Sequence, residues 1–245
     1  MNQQKSRWAL VVPGVWVVAM SVTQPLHAEL VEKTKQVAGA TVHYKVVLPD
    51  GYEPAKAYPG LLVFGGGPQT MTVVDNVLNR NFRAEAEKRG YIVIAPAAPD
   101  DQLFFEAGAR IFPDFLKAML AEYKIQGGKF HVAGPSNGGI AAMHVAAKFP
   151  EYFLSATAFP GYLWQPTEAK LRKLEGICAY FYVGEHDEYR WHDEMQREAE
   201  YLSSHGSVAR YSLEKGQPHR IETLAGDGAA RLFEGFEAAR QGCRR

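Results

Sequence analysis

From residue 40 onward the chain alternates short, apolar, β-rich runs with longer segments of helical period, and this alternation sharply limits what it can fold into. Residues 41–48 form one such run, closed by the turn signal Pro49-Asp50-Gly51. Residues 60–64 are continuously apolar, as a strand covered on both faces must be. A helix is predicted over 73–88, ended by Gly90, and a strand over 91–95, closed by Pro96. Further helices are expected over 112–123, 138–148, 168–174, 193–203 and 224–240. The intervening strands are expected over 129–133, 154–159, 178–183 and 208–213. This order specifies an α/β fold: a mainly parallel sheet with helices on both faces. No repeat or shift of composition divides residues 29–245, so a single domain is expected.

With 27 basic and 27 acidic residues the formal net charge is zero, which points to neither a nucleic acid nor an anionic membrane as partner. The first 28 residues read differently. Lys5 and Arg7 precede an apolar run over 8–20, then a polar, Pro-containing stretch ends at Ala28. That is the pattern of a secretory signal peptide, with an uncleaved N-terminal anchor as the alternative. The apolar run falls short of the roughly 20 residues a spanning helix needs. Export to the periplasm or the medium is therefore expected, with no membrane partner once the signal is removed.

An oxidising compartment changes how the two cysteines read. Cys178 opens a predicted strand and Cys243 follows the last predicted helix. In a parallel α/β sheet a strand start and a helix end share one edge, so the pair can meet. Two unrelated thiols, one buried and one in a frayed tail, are the alternative.

The segment Gly134-Pro135-Ser136-Asn137-Gly138-Gly139 contains G-x-S-x-G. With 23 glycines in the chain, the motif alone is weak. Its context is stronger, because a β-rich run precedes it and a helical segment follows. That is the strand, sharp turn and helix of a nucleophile elbow. Ser136 is then the candidate nucleophile, in a strained backbone that flanking glycines permit. The plainer alternative is a Gly/Ser loop in which Asn137 caps a helix.

A serine hydroxyl needs a base to take its proton and a third group to orient the base. Asp187 lies a few residues past the predicted strand over 178–183 and is the candidate acid, with Glu185 and Glu188 as rivals. His219 follows the strand over 208–213 and is the candidate base. The remaining histidines are expected in surface or core roles, and none makes a metal-ligand spacing with a second His or Cys. No cofactor or metal is called for. Donors for an oxyanion are expected from the backbone N–H of Asn137 and from the loop Gly65-Gly66-Gly67, with Gly66 the first choice.

Together the Gly-rich loop, elbow, acid and histidine resemble the α/β-hydrolase superfamily over residues 40–240. The chain is most similar to its compact secreted or periplasmic serine esterases, the group of polyhydroxybutyrate depolymerases and feruloyl esterases. The resemblance implies ester hydrolysis through an acyl-enzyme. Where many relatives carry His before the Gly-rich loop, this chain has Phe64, and the elbow carries Pro135. Only some 18 residues separate the strands over 154–159 and 178–183, which leaves room for a minimal lid and an open site. A small-molecule or polymer-attached ester is the expected substrate. Phe159, Trp164 and Trp191 are candidate substrate contacts, with plain core cover as the alternative. Two other classes are compatible with the pattern: a peptidase or amidase of prolyl-oligopeptidase type, and a non-catalytic binding protein on a hydrolase scaffold.

Overall fold

A computed structural model describes residues 29–243. The signal-peptide expectation falls on residues outside that range. Eight strands form one sheet: β1 (Glu29–Val37), β2 (Ala40–Leu48), β3 (Tyr58–Val63), β4 (Ile92–Pro96), β5 (Ile125–Gly134), β6 (Phe153–Ala158), β7 (Cys178–His186) and β8 (Ala209–Pro218). Their spatial order is β1-β2-β4-β3-β5-β6-β7-β8. The pairs β1–β2 and β2–β4 are antiparallel, and every pair from β4 to β8 is parallel. Helices α1 (Met71–Val77), α2 (Arg83–Arg89), α3 (Asp114–Glu122), α4 (Asn137–Lys148), α5 (Glu168–Leu171), α6 (His192–Ser204) and α7 (Ala230–Ala239) fill the crossovers.

Strands β3, β4 and β7 carry the most continuous apolar runs because both of their faces are covered. Two cores result. One holds Leu62, Phe64, Phe115, Phe130 and the α4 residues Ile140, Met143 and Val145. The other holds Leu61, Val63, Phe82, Tyr91, Phe233 and Phe236. Burying a large side chain such as these contributes about 1.5–3 kcal/mol each relative to leaving it exposed.

Four elements differ from the sequence expectation. Strand β1 was not anticipated. Its residues are mostly polar and alternate between half-buried and exposed, as suits a charged edge strand, so it lacks an apolar signal. It joins β2 through Ala38-Gly39, both at positive φ, in a two-residue hairpin turn. The helix expected over 73–88 is α1 and α2 joined by a π-turn over Leu78–Phe82. The helix expected from 224 starts only at Ala230, because 222–229, with Gly226 at φ 55, forms tight 3-10 turns. Strand β8 runs to Pro218 rather than stopping at 213, which carries the chain directly to His219.

Cys178 and Cys243 are joined by a disulfide. It lies at the amino end of β7, at the opposite end of that strand from Asp187. Of the two alternatives open at the sequence level, the paired one holds.

Candidate active site

β3 and β5 are neighbours in space, while β4, which lies between them in sequence, sits on the far side of β3. Loops leaving β3 and β5 therefore meet at the carboxyl ends of the strands, where open α/β sheets form their crevice. The Gly-rich loop after β3 and the turn after β5 are those two loops.

At the second of them Ser136 has φ 55 and ψ −126, a backbone conformation that costs a non-glycine residue about 1–3 kcal/mol. The turn is held shut from both sides. The Ser136 N–H donates to the Pro160 carbonyl at 2.7 Å, and the Gly138 N–H donates to the Pro135 carbonyl at 2.8 Å. A β-carbon on Gly138 would run into the Phe64 carbonyl oxygen, so only glycine lets α4 start this close to β3.

The ring of His219 stands between Ser136 and Asp187. Its Nε2 is 2.9 Å from Ser136 Oγ, and its Nδ1 is 2.9 Å from Asp187 Oδ1. With the proton on Nδ1, donated to Asp187, the Nε2 lone pair faces the serine hydroxyl. The Asp187 side chain is fully buried and that of His219 is 12% exposed, so little water competes for this contact. Asp187 Oδ1 also accepts from the Tyr189 N–H at 3.0 Å, which fixes the carboxylate.

Glu185 and Glu188 hold the same loop by other atoms. Glu185 Oε2 accepts from the Gly216 N–H at 2.8 Å, and Glu188 Oε2 from the His219 N–H at 3.2 Å. A bond from the Glu188 backbone itself, and then the one from His219, hold the Glu188 carboxyl below its ordinary range. The structure thus brings Asp187 to the imidazole and the two rivals to main-chain amides. Behind them Glu214, nearly buried, accepts two bonds from Arg231 at 2.7 and 2.8 Å, with further bonds from Ser212 and Thr223. Arg231, chiefly, holds the Glu214 carboxyl below its usual range, and the network pins both ends of the segment bearing His219.

Gly66 packs against the elbow, its β-position 3.5 Å from Ser136 Cβ. The N–H groups of Gly66 and Asn137 have no acceptor among the described residues. Asn137 Nδ2 donates to the Gly67 carbonyl at 2.9 Å, clasping the Gly-rich loop to the elbow. Gln69 completes the clasp and was missed by sequence reading. Fully buried at φ 54, it donates to the Asn137 carbonyl at 3.3 Å and accepts from the Phe104 N–H at 2.9 Å. Nothing in the local pattern marks it beyond its place after the Gly-Pro turn.

The three aromatic candidates are distributed differently. Trp191 meets the His219 ring edge-on at 4.8 Å, beside Tyr189 at 4.6 Å and Tyr162, which packs on Trp191 at 5.1 Å. Phe159 is buried but lines a cavity of about 350 Å³ bounded by Gly66 and Pro135. Trp164 packs instead on Phe105 at 4.9 Å, and among the described residues its ring does not pair with that of His219.

One buried acid lies behind the elbow. Glu198 on α6 accepts the Leu163 N–H with both carboxylate oxygens at 2.9 and 3.0 Å, steadying the segment that carries Pro160. Burial pushes its carboxyl up to about 8, against the opposing effect of that N–H.

A parallel sheet with an elbow serine, an imidazole and a buried carboxylate in one line defines an α/β-hydrolase-fold enzyme of the serine hydrolase class. A family model agrees: Esterase matches residues 36–234, and the chain belongs to that family. Among solved structures it is similar to a thermostable esterase, with a TM-score of 0.67 and 18% identity over 88% of this chain and 63% of that one. It is also similar to the feruloyl esterase module from Clostridium thermocellum, solved with sinapinate. There the TM-score is 0.65 and identity 15%, over 86% of this chain and 87% of that one. A curated relative, dipeptidyl-peptidase 5 of Porphyromonas gingivalis, is 30% identical over 139 residues, 52% of this chain. The chain spans only about 20% of that relative's length. Among the described residues no helix is long and apolar enough to cross a membrane.

Proposed function

We propose that this chain hydrolyses carboxylic esters through an acyl-enzyme in which Ser136 is the nucleophile, His219 the general base and acid, and Asp187 the orienting carboxylate. The observation that carries this is the unbroken line Ser136 Oγ, His219 Nε2, His219 Nδ1, Asp187 Oδ1, with both gaps at 2.9 Å. Ser136 Oγ attacks the ester carbonyl carbon while its proton passes to His219 Nε2. The N–H groups of Gly66 and Asn137 receive the charge that develops on the carbonyl oxygen. Collapse breaks the bond to the alcohol oxygen, which takes the proton from Nε2. Water then attacks the acyl carbon, giving its proton to Nε2, and the acid leaves as Ser136 regains its hydrogen. The buried Asp187 stabilises the imidazolium formed in each step.

The segment between β6 and β7 carries only α5 and a 3-10 turn, which favours a small-molecule or polymer-attached ester reaching an uncovered site. The Tyr189, Trp191 and Tyr162 rings beside His219 suit an apolar or aromatic alcohol half. A peptidase reading draws support from the dipeptidyl-peptidase relative. Rates on a p-nitrophenyl ester and an aminoacyl-anilide separate the two. Ester cleavage dominating supports the esterase, and anilide cleavage dominating overturns it. Loss of fluorophosphonate labelling in Ser136→Ala is the companion test of the nucleophile. The disulfide favours an exported enzyme, since such bonds persist in oxidising compartments. Recovery of the chain from a periplasmic or culture fraction checks that point.

A further inference from the structure

We propose that the cavity beside the elbow receives an acyl chain ending in a carboxylate, so that the preferred substrates are esters of short dicarboxylic acids with one acid group free. The proposal rests on the reading of Ser136 as nucleophile and adds the substrate class. The cavity adjoins the site through Gly66 and Pro135, and its volume of about 350 Å³ lies at the lower end of small-molecule pockets. A short dicarboxylic acyl chain fits within that volume.

Its lining is divided by chemistry. Val73, Val77, Phe159 and Ile221 offer an apolar wall for methylene groups. The charged and amide side chains that line it are Asn76, Asn81, Arg80 and Arg220; all carry N–H donors, and no carboxylate is among them. Arg80 is the central one. Its side chain is only 20% exposed, and one terminal nitrogen donates to the Ile221 carbonyl at 3.2 Å and to Glu222 Oε2 at 2.8 Å. Arg220 meets the other oxygen of the same carboxylate at 3.5 Å. One exposed glutamate therefore serves two guanidiniums, which leaves a net positive charge and spare N–H donors. A planar guanidinium partly withdrawn from water suits a carboxylate well.

The acyl half is assigned here rather than the alcohol because of where the proton must go. The leaving oxygen has to reach His219 Nε2, whose ring is flanked by Tyr189 and Trp191. The cavity is bounded instead by Gly66 and Pro135, beside the proposed oxyanion donors. Substrate alcohol and acyl chain leave the tetrahedral carbon in different directions, so the acyl chain takes the cavity.

The test compares monomethyl glutarate with its neutral analogue, in which an isopropyl group replaces the free carboxylate. The expected result is kcat/KM at least about tenfold higher for the anionic ester, a factor in the range of one charged hydrogen bond. That ratio should fall about tenfold in Arg220→Gln and in Arg80→Met, and shrink as salt rises. A ratio at or below one, or one unchanged in both variants, overturns the proposal. Because Arg220 is exposed, its variant tests the point even if Arg80→Met misfolds. An equal preference for a carboxylate placed on the alcohol half overturns the acyl assignment. Hydrolysis of the neutral ester that vanishes in Ser136→Ala tests the esterase reading separately. If neither ester turns over, calorimetric binding of both to Ser136→Ala decides: tighter binding of the anionic ester supports the proposal, and equal or weaker binding sinks it.

Discussion

Nε2 of His219 stands 2.9 Å from Oγ of Ser136, though the two lie 83 positions apart in the chain. That contact is assembled by strand order. Ser136 leaves β5, His219 leaves β8, and the parallel strands between them put both loops at one edge of the sheet. If the contact is the proton path, Ser136→Ala removes turnover by roughly 10⁴-fold or more. The melting temperature should hardly move, because alanine fits the same backbone at φ 55 about as well as serine does. Steady-state rates on a p-nitrophenyl ester and a circular dichroism melt check both halves, and activity above a tenth of wild type would refute the assignment.

Asp187→Asn should lower kcat by about 10³–10⁴-fold, because an amide cannot hold the Nδ1 proton in place or stabilise the imidazolium. Glu188→Gln should cost less than about tenfold. The glutamine oxygen still accepts the His219 backbone N–H, while the ring nitrogens bond Asp187 and Ser136. Equal losses in the two variants would mean that the carboxylates share the orienting task.

Gln69→Ala leaves the Phe104 N–H without its buried acceptor and opens the clasp between the Gly-rich loop and Asn137. A loss of about 1–3 kcal/mol in unfolding free energy is expected, together with a fall in kcat. Urea titration measures the first. An unaltered kcat would show that the clasp does not position the proposed oxyanion donors.

Glu198 gives the fold a distinct pH dependence. Its carboxyl titrates near 8 when folded, against an ordinary value of 4.5 in the unfolded chain. Between those values the unfolded chain has released the proton and the folded one retains it, so this group makes stability fall as pH rises through the window. Below 4.5 and above 8 its contribution is flat. Glu198→Gln keeps an acceptor for Leu163 without the proton. Its melting temperature relative to wild type should therefore climb from about pH 5 to pH 8. A constant difference across that range would contradict the buried, protonated state.

Reduction of the 178–243 disulfide releases a loop of 65 residues, for which chain-entropy reasoning gives about 4 kcal/mol of lost stability. For a chain of this size that is a drop in melting temperature on the order of 10 °C. Turnover at low temperature should persist, since the bond sits at the other end of β7 from Asp187. Melting with and without reductant, alongside a rate at 25 °C, reads out both.

The alternation of strands and helices, the elbow around Ser136 and the segments bearing Asp187 and His219 were legible in the sequence because each rests on local constraints. Periodicity, β-propensity and the absence of a β-carbon act over a few residues and leave a pattern there. Strand β1 escaped notice because a charged edge strand has no apolar run to reveal it. The place of Asp187 just past a strand end made it the candidate acid, but Glu185 and Glu188, near neighbours of similar chemistry, stayed open as rivals. The pairing of β7 with β8 decides it, aiming one at the imidazole and two at backbone amides. Trp164 and Trp191 likewise look equivalent along the chain, yet only Trp191 packs against His219. Gln69 acquires its task only when β3 and β5 come side by side. Side-chain partners are chosen by distances between segments remote in sequence, and those distances exist only once the sheet has closed.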